Sequence, residues 1–111
     1  MSILTCFAPL TNTVAVTPTT STQQVALPQT VGQGFEQIRI SNKTTQDVFL
    51  AFGTSSSVTA TVPTAGSSQS VVHVPANDVE LISPPFGTTN VAYIQAATST
   101  GTCYLVQGEG L

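Results

Sequence analysis

Few side chains in this chain are equipped for chemistry, and their spacing limits what they can do together. The one histidine, His73, stands in the run Gln69-Ser70-Val71-Val72-His73-Val74. Serine is abundant, and Asp47 and Asp78 supply carboxylates, so a Ser-His-Asp system is arithmetically possible. Such a system needs a serine held on an exposed elbow, an imidazole to take its proton and a carboxylate to orient the imidazole. The elbow signature G-x-S-x-G is absent, and with so many serines the presence of one near His73 carries no information. By alternation His73 lies on the opposite strand face to Val72 and Val74, as a surface or interface histidine would. A small hydrolase using His73 with Asp78 or Glu80 is the enzymatic alternative, and it predicts that His73→Ala abolishes an activity. No clustered titratable constellation supports it, and the chain reads as a non-enzyme.

Asp78 and Glu80 alternate on one strand and so share a face. Paired carboxylates serve glycosidases and calcium sites. A glycosidase also needs an aromatic-lined sugar cleft, and this chain has no tryptophan. Calcium needs a D-x-D-x-D-G loop or a third acid close by, and neither is present. The pair reads as a solvated strand edge, a device that discourages stray sheet pairing. Cys6 and Cys103 are too far apart in sequence to be a metal-ligand pair, and in a reducing cytosol they read as buried free thiols, with a disulfide between them as the alternative. Gly32-Gln33-Gly34 and Gly108-Glu109-Gly110 open no helix, so neither cradles phosphate; they read as hinges or turns. Asn42-Lys43-Thr44 matches a glycosylation sequon but reads as a turn. The sequence therefore calls for no cofactor and no metal.

The composition points the same way. Lys, Arg, Asp and Glu make up 6% of the 111 residues, where soluble domains run near 25%. Thr and Ser fill about a quarter of the chain. A surface of this kind can pack against another protein with little charge to desolvate. With Arg39 and Lys43 as the only cations and a net charge of −3, nucleic acid is excluded as a partner, because phosphate neutralisation needs several. An anionic membrane surface is disfavoured for the same reason. No apolar run approaches a membrane-spanning helix, and Met1 to Leu10 lacks the positive start of a signal peptide.

These residues must be positioned by strands, since no stretch carries a helical apolar stripe. Phe35 to Ser41 puts Ile38 and Ile40 on one face and Gln37, Arg39 and Ser41 on the other. After the polar turn Asn42 to Gln46, Asp47 to Phe52 returns as an almost wholly apolar strand ended by Gly53, and the two read as a hairpin. Gln69–Val74 stops at Pro75, and Val79–Ile82 stops before Pro84-Pro85. Val91–Ala96 and Thr102–Gln107 are joined by a polar loop, and Thr13–Thr17 and Gln24–Leu27 are weaker candidates. About eight short strands with regular turn signals predict an all-β antiparallel sandwich or jelly roll with an extended N-terminal segment. Thr54 to Thr61 is low in complexity and reads as a surface loop. Residues 1–34 carry no charge and three prolines. They read as an N-terminal arm or as edge strands, with 35–111 forming the sandwich of a single domain.

From Phe35 onward the chain resembles a known group. The strand Ile38-Arg39-Ile40-Ser41-Asn42 is followed by Val48-Phe49-Leu50-Ala51-Phe52-Gly53-Thr54 and a Ser/Thr-rich loop. Thr102-Cys103-Tyr104-Leu105-Val106 and the ending Gln107-Gly108-Glu109-Gly110-Leu111 complete the pattern. It is similar to small virion proteins of tailed bacteriophages, the capsid decoration or cement proteins, and among them to the staple proteins of epsilon15-like short-tailed phages. That resemblance implies a jelly roll on the outer surface of an icosahedral capsid, assembled in the host cytoplasm. It implies a homodimer across two-fold positions that clamps neighbouring subunits of the major capsid protein. No family site motif carries over. Candidate interface residues are Phe7, Leu10 and Val14 in the N-terminal segment, Phe86 in the loop after Pro84-Pro85, and Leu111 at the end. The same composition suits a tail, fibre or adhesin-type module that recognises a host surface.

Overall fold

The computed structural model describes residues 8–32 and 36–109. Among them are nine strands and no helix: β1 (Ala8–Pro9), β2 (Val14–Val16), β3 (Gln23–Ala26), β4 (Gln37–Asn42), β5 (Val48–Gly53), β6 (Val72–Val74), β7 (Asp78–Ile82), β8 (Asn90–Ile94) and β9 (Cys103–Glu109). All pairings are antiparallel. One sheet, here sheet A, runs β1–β9–β4–β7, with β2 continuing the edge that β1 begins beside β9. The other, sheet B, runs β3–β8–β5–β6. Every connection except β1–β2 and β5–β6 passes from one sheet to the other, which is the connectivity of a jelly roll. Residues 8–32 lie within this sandwich and supply an edge to each sheet.

The core is the set of inward positions that alternation selects. Ile38 and Ile40 of β4, Leu105 of β9, Val48 and Leu50 of β5, Val74 of β6 and Val91 and Tyr93 of β8 form one buried cluster. Each large aliphatic side chain so buried contributes about 1.5–3 kcal/mol.

The predicted hairpin of Phe35–Ser41 with Asp47–Phe52 does not form. β4 pairs with β7 and β9, and β5 pairs with β6 and β8, so the two strands lie in opposite sheets and meet across the core. Both carry an apolar stripe, and facing each other buries both stripes. The link 43–47 is an arch: the Lys43 N–H donates to the Thr102 carbonyl (3.1 Å), and side chains meet the Thr44 N–H and the Gln46 N–H and carbonyl. The Asn42 side-chain amide donates to the carbonyls of Gln46 (3.0 Å), Val74 (3.2 Å) and Pro75 (3.0 Å). Its Oδ1 accepts from the Thr44 N–H (3.1 Å), the Thr44 hydroxyl (2.7 Å) and Cys103 Sγ (3.4 Å). Gln95 and Ser99 extend this network: Gln95 Nε2 donates to Thr44 Oγ1 (2.9 Å) and Ser99 Oγ to Gln95 Oε1 (2.6 Å). The sequon asparagine is thus the last residue of a strand and a buried knot between sheets, not a surface turn.

The opposite end is tied by Gln107. Its Oε1 accepts from the Gln29 N–H (2.9 Å) and its Nε2 donates to the Gln29 carbonyl (2.6 Å), so the side chain replaces a strand neighbour.

Candidate functional site: an uncovered sheet face

The two sheets differ in what lies on their outer faces. On sheet B the 54–71 segment, which contains no strand, folds back over β5 and β8. Val58, Ala60 and Val71 pack there with Ala51, Ala92 and Ile94. The close approach needs small residues beneath it; a Cβ on Gly53 would stand 2.6 Å from Val58 Cβ. The Ala60 N–H donates to Thr22 Oγ1 (2.8 Å) and fixes the segment beside β3. Thr54 to Thr61 is therefore a loop, as its composition indicates, and it serves as a cover.

Sheet A has no such cover among the described residues. Its register sets two rows of side chains directly opposed across the strands. One row is Leu81–Arg39–Val106, and the other is Val79–Ser41–Tyr104–Ala15. Val79, Leu81 and Tyr104 are 40%, 42% and 43% exposed, large fractions for side chains of this kind. Directly opposed residues are about 4.5–5.5 Å apart, so these rows make one continuous patch.

The strand β7 is inverted. Asp78 and Glu80 pair with Asn42 and Ile40, which face the core, so both carboxylates stand on the inner side at the open edge of the sandwich. Val79 and Leu81 point out. The tight turn before β7 fixes this register: Asn77 takes a left-handed conformation (φ 57°) that asparagine tolerates, and Asp78 Oδ1 accepts the Val79 N–H (2.8 Å). Asp78 raises Glu80 above the usual carboxyl range by hydrogen bonding and like charge.

His73 lies on the outer face of sheet B. Its Nε2 is 2.7 Å from Asp47 Oδ2, and its ring stacks on Phe49 at 5.2 Å between centroids. Asp47 Oδ1 also accepts the Ala76 N–H (3.0 Å). The bond to His73, then that to Ala76, holds the Asp47 carboxyl below its ordinary value. The arrangement pins β6 to the start of β5. The imidazole pairs with Asp47, not with Asp78, and among the described residues no serine hydroxyl is hydrogen-bonded to it. No group of three or more His, Cys, Asp or Glu side chains is placed to hold a metal among the described residues.

The candidate interface residues fall in different settings. Phe86 is 81% exposed, on a loop made rigid by buried Pro84 and by bonds from the Thr88 N–H and hydroxyl to the Pro85 carbonyl. One side of its ring rests on Gly32, whose φ of 129° side-chain-bearing residues rarely adopt and where a Cβ would stand 2.5 Å from the ring. Leu10 is exposed at the same end of the sandwich, its N–H donating to the Gln107 carbonyl. Val14 pairs with Leu105 and packs against the core. Phe7 and Leu111, and with them Cys6, lie outside the described residues. Cys103 is a free buried thiol, pushed up to about 11 by burial.

Reading from sequence missed Val79, Leu81, Tyr104 and Arg39 as a surface. The signal was the alternation Asp78-Val79-Glu80-Leu81, which defines two faces without saying which is inside. Comparison with protein-family models, with characterised proteins and with solved structures gave no match.

Proposed function

We infer that this chain is a non-enzymatic virion structural protein. It binds the outside of an icosahedral phage capsid and clamps neighbouring subunits of the major capsid protein, with a second copy of itself at two-fold positions. The observation that carries this reading is the uncovered apolar face of sheet A on a domain that is otherwise nearly free of charge. Large apolar side chains gathered on one sheet face mark an interaction surface. A clamp of this kind acts by mass action: binding only the assembled lattice stabilises that lattice. Weak contacts repeated by symmetry add as avidity, so no single contact has to be strong.

The test is the copy number of this chain in gradient-purified particles, measured by mass spectrometry against the major capsid protein. A ratio near one to one supports the clamp. Absence from particles refutes it. The exposed Phe86, presented on a rigid loop at one end of the sandwich, favours a second reading. Sandwich ends are where recognition loops cluster, and a tail, fibre or adhesin-type component would use such a tip. A few copies per particle, with binding that follows the host cell, would support that alternative.

A further inference from the structure

The charges of sheet A are sorted by face. Arg39 points outward between Leu81 and Val106. The strand acids point the other way by the same alternation: Asp78 and Glu80 on β7 and Glu109 on β9. Among the described residues, no carboxylate lies within ion-pair distance of Arg39. The outer face is thus an apolar patch with one guanidinium near its middle that no described carboxylate pairs.

This sorting says what fits there. A second copy docking face to face about a two-fold axis through the middle of this patch would bring Arg39 towards Arg39, and the outward rows of the same face offer it no acid. The inverted register of β7 adds weight. A slip of one residue would turn Val79 and Leu81 inward and turn Asp78, Glu80 and the core-packed Ile82 outward. The observed register keeps two apolar side chains outside, which water alone does not favour. Arginine and tyrosine ringed by aliphatic side chains are the residues that dominate binding energy at interfaces. We propose that the outer face of sheet A docks on a different protein, through an apolar patch that presents an aspartate or glutamate to Arg39. This assignment rests on the shell-binding reading, under which that protein is a subunit of the capsid lattice, and it places any contact between copies of this chain elsewhere on the domain. On docking, the rows flanking Arg39 exclude water, and the charged bond gains strength from the lower local dielectric.

The experiment adds purified protein to shells assembled from the major capsid protein alone and measures co-sedimentation at increasing concentration. Arg39→Ala weakens binding by about 30-fold or more, the effect of stripping one partner from a covered charge pair. Arg39→Lys recovers part of the loss, because the charge is kept and the planar fork is not. Leu81→Ser weakens binding by about tenfold, as loss of an apolar flank does. Both sites are exposed, and a melting curve for each variant separates weak binding from misfolding. Wild-type protein that binds while folded Arg39→Ala and Leu81→Ser bind equally well overturns this face and leaves the shell reading standing. Wild-type protein that leaves the shells bare overturns both. Sedimentation equilibrium showing a dimer that Arg39→Ala dissociates makes a second copy the occupant and also overturns the proposal.

Discussion

Replacing Asn42 should unfasten the sandwich at one end, and two substitutions together reveal how. In Asn42→Ala the Thr44 N–H loses Oδ1 and the Pro75 carbonyl loses Nδ2, and neither has another backbone partner. A buried polar group left without a partner costs about 1–3 kcal/mol. The buried Thr44 N–H, the part-buried Pro75 carbonyl and the weakened Val74 and Gln46 contacts together give a loss of about 2–4 kcal/mol. A domain of this size has about 5–15 kcal/mol in total. Asn42→Asp has nearly the same shape but turns a donor into an acceptor facing three carbonyls. Those carbonyls disfavour the charged form, so the folded carboxyl is raised above its unfolded value of about 3.9. A raised folded value means the folded state holds its proton longer. The variant is therefore least impaired below about pH 4 and loses about 1.4 kcal/mol for each pH unit between the unfolded and the folded value. Urea unfolding followed by circular dichroism at pH 4 and pH 7 measures both variants against wild type. The expected gap for Asn42→Ala is the same at both pH values, while the gap for Asn42→Asp widens at pH 7. A loss under about 1 kcal/mol for Asn42→Ala, or a pH-independent gap for Asn42→Asp, would refute the knot as described.

Other outcomes follow from single observations. Gly101 sits at φ 110° with the Lys43 carbonyl where a Cβ would go, so Gly101→Ala should cost about 2–4 kcal/mol. Gly66→Ala, also at positive φ but facing open space, should cost only about 1 kcal/mol, and equal midpoints in urea would contradict the clash. In a Cys6→Ser background, Cys103 should resist a thiol reagent at pH 8 in the folded protein and react at once in denaturant, since burial raises it to about 11. The Asp47 carboxyl should titrate below its ordinary 3.8, and in His73→Ala its carbon-detected NMR midpoint should rise towards that value; an unmoved midpoint breaks the assigned cause. Because the folded value is depressed, the pair's contribution to stability is present above pH 3.8 and fades as pH falls through the folded value. The pair is solvent-exposed, so the accompanying change in stability is small.

The strands and the core were legible along the chain, because alternation and the Pro and Gly stops are local. Ile38 and Ile40 share a face by their alternation with Gln37, Arg39 and Ser41, and both are buried; the almost wholly apolar run 48–52 left its inward face open, and the structure turns Val48 and Leu50 to the core. The loop at Thr54 to Thr61 was legible from its polar, small-residue composition. Pairing was not. A five-residue polar link suits a hairpin and an arch equally well; the difference lies in Asn42 reaching Val74 and Pro75, 32 and 33 residues away. The imidazole partner was open for the same reason: Asp47 and Asp78 are both available in sequence, and the β5–β6 register chose Asp47.

The sequence by itself determined an all-β chain with few charges, because composition and a period of two are properties of the chain. Only the tertiary structure decided which side of β7 faces the core and which sheet keeps a bare outer face. A period of two labels the faces of a strand but leaves them equivalent until a turn such as that at Asn77 and the neighbouring strand fix the register. The cover over sheet B is a packing of residues far apart in sequence, and its counterpart over sheet A is what the proposed partner would supply.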